Sequence, residues 1–189
     1  WIPRAAGIRH QGTATTSTAT VLVILVILSC GLPAGHANAV FISRTCKKTN
    51  NAALCKQVLQ LNQDSVKAST VHDLASIALG IATSFTTFQA NNIRVGAKFN
   101  QGTPVGDALS VCLRAYSDAE DDLRYKAKRS FDRGDYADAS KIVMGAKAAG
   151  YVCDNTLKRI KKDFHAEVDR YMKERCGVAA ELIGLLIHK

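Results

Sequence analysis

The chain has 189 residues, 47% of them hydrophobic and 6% aromatic, with three prolines and a formal charge of +9. This composition excludes a disordered chain and fits one globular domain or two small ones, and its few aromatics and prolines favour helix. A basic balance suits an acidic partner such as nucleic acid, anionic lipid or acidic polysaccharide. The positive residues are spread out, however, and the densest cluster, Lys158-Arg159-Ile160-Lys161-Lys162, has no interleaved aromatics and no nucleic-acid motif around it. Nucleic acid is therefore not expected as a partner.

The chain begins at Trp1 rather than methionine, and residues 1–10 can be written in codons as consecutive restriction sites of a cloning polylinker. Residues 1–20 are read as vector- or adaptor-derived sequence or a truncated leader. The apolar run at residues 21–28 is much shorter than the roughly 20 residues that span a bilayer. It fits the core of a secretory signal peptide, whose remainder is 21–39, with Ala37-Asn38-Ala39 as the cleavage site and Val40 as the mature N-terminus. No later apolar run is long enough to span, so no membrane contact is expected after cleavage. The leader carries away Arg4 and Arg9, which leaves a charge of +7 and five cysteines: Cys46, Cys55, Cys112, Cys153 and Cys176.

Ahead of residue 70 the pattern predicts two short helices, near 39–45 and 51–61, forming a hairpin (40–70). Thr70 then reads as a helix cap with Asp73 three residues on, a capping-box variant. Apolar residues follow at Val71, Leu74, Ala78, Ile81, Phe85, Phe88, Val95 and Phe99, in steps of three and four with one of seven where Asn92 interrupts. That is a heptad-like stripe on a helix of about 30 residues. Asn100-Gln101-Gly102 ends it.

Thr103-Pro104 opens the next helix, with proline at the first helical position. Its stripe is Val105, Leu109, Cys112, Tyr116, Ala119, Leu123, Ala127 and Phe131, and Arg133-Gly134 stops it. Asp135 caps a third helix with Tyr136, Ala139, Val143, Ala146, Gly150, Cys153, Leu157 and Ile160 on its stripe. A fourth segment, 161–187, carries Phe164, Val168, Tyr171, Val178, Leu182 and Leu185 and closes in a broad apolar run. Long helices joined by short connections become antiparallel neighbours. The expected fold is all-α: an up-down-up-down four-helix bundle (71–189) with an N-terminal helical hairpin, 40–189 forming one domain.

Secretion permits disulfides. Cys46 and Cys55 are local and would close the hairpin. Cys112 and Cys153 lie on the stripes of consecutive helices, at similar distances from the turn near residue 134, so a bridge between them would cross-link those helices far from their turn. Cys176 is left over, as a core thiol or a dimer link. No Cys-x-x-Cys or Cys/His cluster has zinc spacing, so no metal or cofactor is assigned. His72, His165 and His188 stand apart from any nucleophile motif, and Gly-x-Ser-x-Gly, P-loop and His-Glu-x-x-His patterns are absent from the sequence. No catalytic residue is assigned. Asp118, Glu120, Asp121 and Asp122 read as a solvated helix face offset by Arg124, Lys126, Lys128 and Arg129.

Phe41-Ile42, Thr45-Cys46-Lys47, Thr49, Cys55 and Leu59 resemble the opening motif of the plant invertase and pectin methylesterase inhibitors. Cys112, Tyr116 and Ala119 fit that family's Cys-x-x-x-Tyr-x-x-Ala pattern, and Gly134-Asp135-Tyr136 with the alanine-rich run to Cys153 fits its next helix. The resemblance covers 40–189. It implies a secreted bundle of the apoplast or cell wall, disulfides joining first to second and third to fourth cysteine, and an unpaired fifth. After Cys153 the family has an aromatic and a Ser-Pro-Leu stretch; here Asp154-Asn155-Thr156-Leu157 runs on without proline.

The resemblance further implies an inhibitor that binds a target enzyme one-to-one and blocks its active-site cleft. Invertase inhibitors are similar to one another in a Pro-Lys-Phe motif at the turn between the second and third long helices, where this chain has Arg133-Gly134-Asp135-Tyr136. Inhibitors of pectin methylesterase often have Thr before the fourth cysteine, where this chain has Val152. The missing insertion motif weighs more, because it would make the contact itself. Pectin methylesterase is thus the expected target and acid invertase the alternative. The family's contact runs along the outer faces of the second and third bundle helices, which here offer Arg114, Asp118, Asp121, Lys141 and Lys147. The positive charge would also suit retention by acidic pectin. A secreted helical carrier or surface-binding protein is a further alternative, drawing on the small core residues Ala78, Ala119, Ala146 and Gly150.

Overall fold

A computed structural model describes residues 34–162 and 166–187. The polylinker and the apolar leader lie outside the described residues, as do Phe164, His165 and His188. The elements are α1 (Ala34–Cys46), α2 (Ala52–Leu59), a 3₁₀ turn (Gln63–Lys67), α3 (Val71–Phe99), α4 (Pro104–Asp121), α5 (Lys128–Asp132), α6 (Tyr136–Ala146), α7 (Ala148–Arg159) and α8 (Ala166–Gly184). A π-helical stretch, Asp122–Ala127, joins α4 to α5 without a break in direction. Ala37, Asn38 and Ala39 fall within α1.

Local chemistry explains where the helices begin and end. The Thr70 hydroxyl accepts from the Asp73 amide at 3.0 Å, and the Asp73 carboxylate accepts from the Thr70 amide at 2.9 Å. Bonds from the Ser69 amide and then the Thr70 hydroxyl hold the Asp73 carboxyl below the usual carboxylate range. Thr70→Ala is expected to cost about 1 kcal/mol in urea unfolding, with Thr70→Ser retaining most of it. Thr103 caps α4 by accepting from Gly106 N at 3.1 Å. After α5, Gly134 takes a left-handed conformation (φ 78°). Asp135 N then reaches Ser130 O and Gly134 N reaches Phe131 O, so the helix ends in a Schellman turn. α7 closes in the same way around Lys161 (φ 55°), with Lys162 N on Leu157 O and Lys161 N on Lys158 O. The helix therefore ends after Arg159 without a proline.

The bundle follows from the stripes. α3 packs against α4 and α8, α4 against α7, and α6 and α7 against α8, giving an up-down-up-down four-helix bundle, with α2 and the 3₁₀ turn resting on α3. The disulfide Cys46–Cys55 (Cα atoms 5.5 Å apart) closes the α1–α2 hairpin. Asn50 ties the hairpin to α8 through its amide and side chain, both on the Glu181 carboxylate at 3.0 and 2.9 Å.

The third leg is two helices rather than one, joined at Lys147. Gly145 and Gly150 flank the joint, where glycine weakens the helix. Gly150 is also obligatory for packing, because a Cβ there would lie 2.7 Å from the Asp169 carbonyl oxygen on α8. Two stripes differ from expectation. On α3 the buried arc moves from Leu74, Ala78 and Ile81 to Thr86, Gln89, Ala90 and Ile93, so Phe88, Val95 and Phe99 are exposed. On α8 the expected Val178 and Leu182 are buried, together with Asp169, Met172, Cys176, Ala179 and Ile183, whereas Val168, Tyr171 and Leu185 are only half-buried. An apolar pattern passes over an aspartate, and skipping Asp169 displaces the stripe by one residue in the first turns, at Val168 and Tyr171.

Candidate functional site

The second leg buries Cys112, Tyr116, Ala119, Leu123, Ala127 and Phe131. At 100° per residue, Arg114, Asp118 and Asp121 then fall within roughly 60° of one another on the opposite side. All three are exposed. The Cys112–Cys153 disulfide brings the α4 and α7 backbones to a Cα separation of 4.6 Å. Only small side chains fit between helices that close. Beside the disulfide runs a shallow groove of about 230 Å³, floored by Ala115, Ala119, Ala146 and Ala149 and edged by Asp118, Asp122 and Val152. The small core residues thus serve close approach.

Lys141 is exposed on α6. Lys147, at the α6–α7 joint, is turned about 120° from Lys141 by helical geometry. It is half-buried and lines a separate cleft on the α8 side with Tyr151, Lys173 and Glu181. The five residues singled out in the sequence therefore do not form one surface. Arg114, Asp118 and Asp121 share a face, Lys141 stands on the neighbouring leg, and Lys147 faces elsewhere.

Two members of the acidic cluster, Glu120 and Asp122, are paired along their own leg. Lys126 bonds Asp122 at 2.6 Å, which raises the lysine's pKa, with Asp121 and Asp118 adding to the effect. Arg124 bonds Glu120 at 2.8 Å, and the Thr87 hydroxyl on α3 donates to the same carboxylate at 2.9 Å. At the turn after α5, the Tyr136 ring packs edge-on against Phe131 (5.5 Å) and His72 (6.2 Å), and His72 lies 4.6 Å from Phe131. Arg133, Gly134 and Asp135 are left as the exposed tip.

Sequence reasoning missed one buried polar group. Asp169 is wholly buried, and the Tyr116 hydroxyl donates to its Oδ1 at 2.8 Å. Among the described residues nothing bonds its Oδ2. Burial pushes this carboxyl up to about 6, against the partial relief of the tyrosine bond. A buried tyrosine needs a partner for its hydroxyl, so Tyr116 on a core stripe was the available signal. Arg175, the residue before Cys176, is half-buried, its guanidinium 4.0 Å above the Phe85 ring and 4.9 Å from that of Tyr171. Cys176 is fully buried, and burial pushes its thiol up to about 12. A thiol so placed is closed to an intermolecular link in the folded chain.

Among the described residues, no group of three or more His, Cys, Asp or Glu is placed to hold a metal ion, and no helix is long and apolar enough to cross a membrane. The sequence matches, over residues 40–182, the family described as plant invertase/pectin methylesterase inhibitor, and the chain belongs to that family of extracellular enzyme inhibitors. No curated protein matches it closely enough to count as a relative. Among solved structures it is similar to mutant form A of a pectin methylesterase inhibitor from Arabidopsis, with TM-score 0.66 and 20% identity over 78% of this chain and 98% of the other. It is also similar to a pectin methylesterase inhibitor from Arabidopsis thaliana, with TM-score 0.59 and 19% identity over 79% of this chain and 98% of the other. At such identities the likeness is one of fold.

Proposed function

We propose that the protein inhibits pectin methylesterase by binding it one-to-one and covering the active-site cleft with the outer face of α4 and the adjoining α6–α7 leg. The observation that favours this target over acid invertase is the turn after α5. Its only aromatic, Tyr136, is packed onto Phe131 and His72, so the exposed tip offers polar groups and no side chain suited to insertion into a substrate pocket. The face itself is pre-organised: a disulfide and a floor of alanines hold α4 on α7, so docking costs little conformational entropy. Arg114, Asp118, Asp121 and Lys141 are the contacts on this reading, and Lys147 is left out of it. The family and the +7 charge support secretion into the cell wall, where acidic pectin would retain the protein.

Titration of the protein into purified plant pectin methylesterase and cell-wall invertase, at the acidic pH of the wall, tests the reading. Full inhibition of the esterase at one equivalent is expected, weakening as salt rises. The double variant Arg114→Glu, Asp118→Lys should inhibit about tenfold less well at an unchanged melting temperature, since both residues are exposed. Invertase inhibition with an unaffected esterase would transfer the assignment to the alternative target. Inactivity against both would favour a carrier, whose ligand would lie in the apolar hollow of about 550 Å³ lined by Ile42, Leu59 and Val66.

A further inference from the structure

Lys147 is left unused by the face that meets the enzyme. It lines a cleft of about 310 Å³ built by α2, the third leg and α8, with no residue of α4 in its lining. Gly177 on α8 leaves room for it: the Lys147 ammonium lies 4.0 Å from where a Cβ on Gly177 would stand. Tyr151, one turn further along the third leg, is 49% exposed in the same cleft, with the Lys173 ammonium 4.6 Å from its ring centre.

The charges of this cleft are unequally paired. Both of its acids have partners: Glu181 accepts from the amide and side chain of Asn50 at 3.0 and 2.9 Å, and Glu174 accepts from Arg170 at 2.8 Å. Among the described residues Lys147 forms no ion pair, and Lys173 has only a long one, 3.8 Å to Asp154. Leu54 and Glu174 also line an adjoining hollow of about 120 Å³, where Arg175 and Tyr171 repeat the pairing of a cation with an aromatic ring. Arg175 likewise forms no ion pair among the described residues. The two hollows make one groove in which uncompensated cations recur beside tyrosines.

We propose that this groove binds a chain of uronic acid units, the demethylated form of pectin. Such a chain carries a carboxylate on every sugar ring, which answers cations spaced along a groove, and its rings have apolar faces that answer exposed tyrosines. A fully methyl-esterified chain offers the rings without the charges, and an acidic peptide offers the charges without the rings. The extracellular setting of the family places the protein beside this polymer, whose carboxylates the family's namesake esterase uncovers. The inference rests on that setting and not on the choice of target enzyme. Because the groove takes nothing from α4, the polysaccharide and the enzyme can be held at once.

Titration with oligogalacturonate, fully methyl-esterified oligogalacturonate and polyglutamate tests it. The free acid should bind, more weakly as salt rises, and the ester and the polypeptide should each bind at least about tenfold less tightly. Lys147→Gln and Tyr151→Ala should each weaken binding by about tenfold at an unchanged melting temperature. Lys98→Gln, which removes the same charge at an exposed position on α3, should leave binding unchanged. Amide NMR shifts on adding the free acid should cluster at Asn51, Tyr151 and Gly177, which locates the site without a variant. Esterase inhibition by Lys147→Gln should match the wild type, so failure of this proposal and failure of the inhibitor reading are read separately. Absence of binding, or equal binding of the ester or of polyglutamate, overturns the uronate assignment. A Lys98→Gln protein as impaired as Lys147→Gln, or shifts that avoid the groove, overturns the site.

Discussion

Replacing Cys112 by alanine is expected to lower the unfolding free energy by about 4 kcal/mol. The Cys112–Cys153 bridge closes a loop with a sequence separation of 41. Releasing that loop frees the unfolded chain in proportion to the logarithm of its length. For a domain of this size the loss is a fall of about 10 °C in melting temperature. Cys46→Ala, which opens a loop of separation 9, should cost roughly 2.5–3 kcal/mol. The ordering of the two variants is the sharper test, because strain and residual structure shift both values. A Cys112→Ala protein that melts with the wild type would mean that the bridge contributes nothing. Non-reducing peptide mapping checks the pairing directly, and a peptide joining Cys55 to Cys112 would contradict it.

The second large effect is a dependence of stability on pH that originates at Asp169. The carboxyl sits between α4, α7 and α8. Tyr116 faces it from α4, Asp154 and Lys158 from α7, and Lys173 from α8. Its folded value is pushed up to about 6 from an ordinary 3.8. The folded protein therefore holds a proton that the unfolded chain releases between these values. Below pH 3.8 both states are protonated and the site costs nothing; above pH 6 both are ionised and the buried charge carries its full cost. Stability from this site is present at low pH and is lost as pH rises through about 4 to 6, by roughly 3 kcal/mol in all. Carboxylates whose values are lowered, such as Asp73, act in the opposite sense and lose their contribution as pH falls. The comparison must therefore be made against Asp169→Asn, which keeps an acceptor for Tyr116 and removes the titration. Urea unfolding at pH 5 and pH 7.5 should show a steeper loss in the wild type, with the asparagine variant the more stable at pH 7.5. Equal pH slopes in the two proteins would place the dependence elsewhere.

Much of the architecture was legible because it rests on short-range chemistry. Thr70 with Asp73, Thr103 with Pro104 and Gly134 with Asp135 mark helix ends through bonds to the nearest few amides, and these operate before any tertiary contact forms. The stripe of the second leg was equally readable, since residues 105–131 are mainly apolar on one side and mainly polar or charged on the other, with Tyr125 exposed and Ser130 buried as exceptions. That stripe also located the outward face of Arg114, Asp118 and Asp121.

Other features depended on what the helices meet in space. Whether Phe88, Val95 and Phe99 are core or surface turns on how far α4 and α8 wrap around α3, and their spacing carries no information about that. Lys147 is half-buried because the side of the third leg on which it stands meets α8, whose backbone comes too close at Gly150 for any side chain. Asp169 was unreadable for the same reason: a carboxylate scores as surface in any local pattern, and it is buried here because the Tyr116 hydroxyl, 53 residues earlier in the chain, needs an acceptor in the core. Helix ends and single-helix faces are decided within a few residues, by backbone bonds and side-chain polarity. Which faces are covered, and which polar groups are buried together, is decided only when the legs pack, because burial is a property of the neighbours and not of the residue.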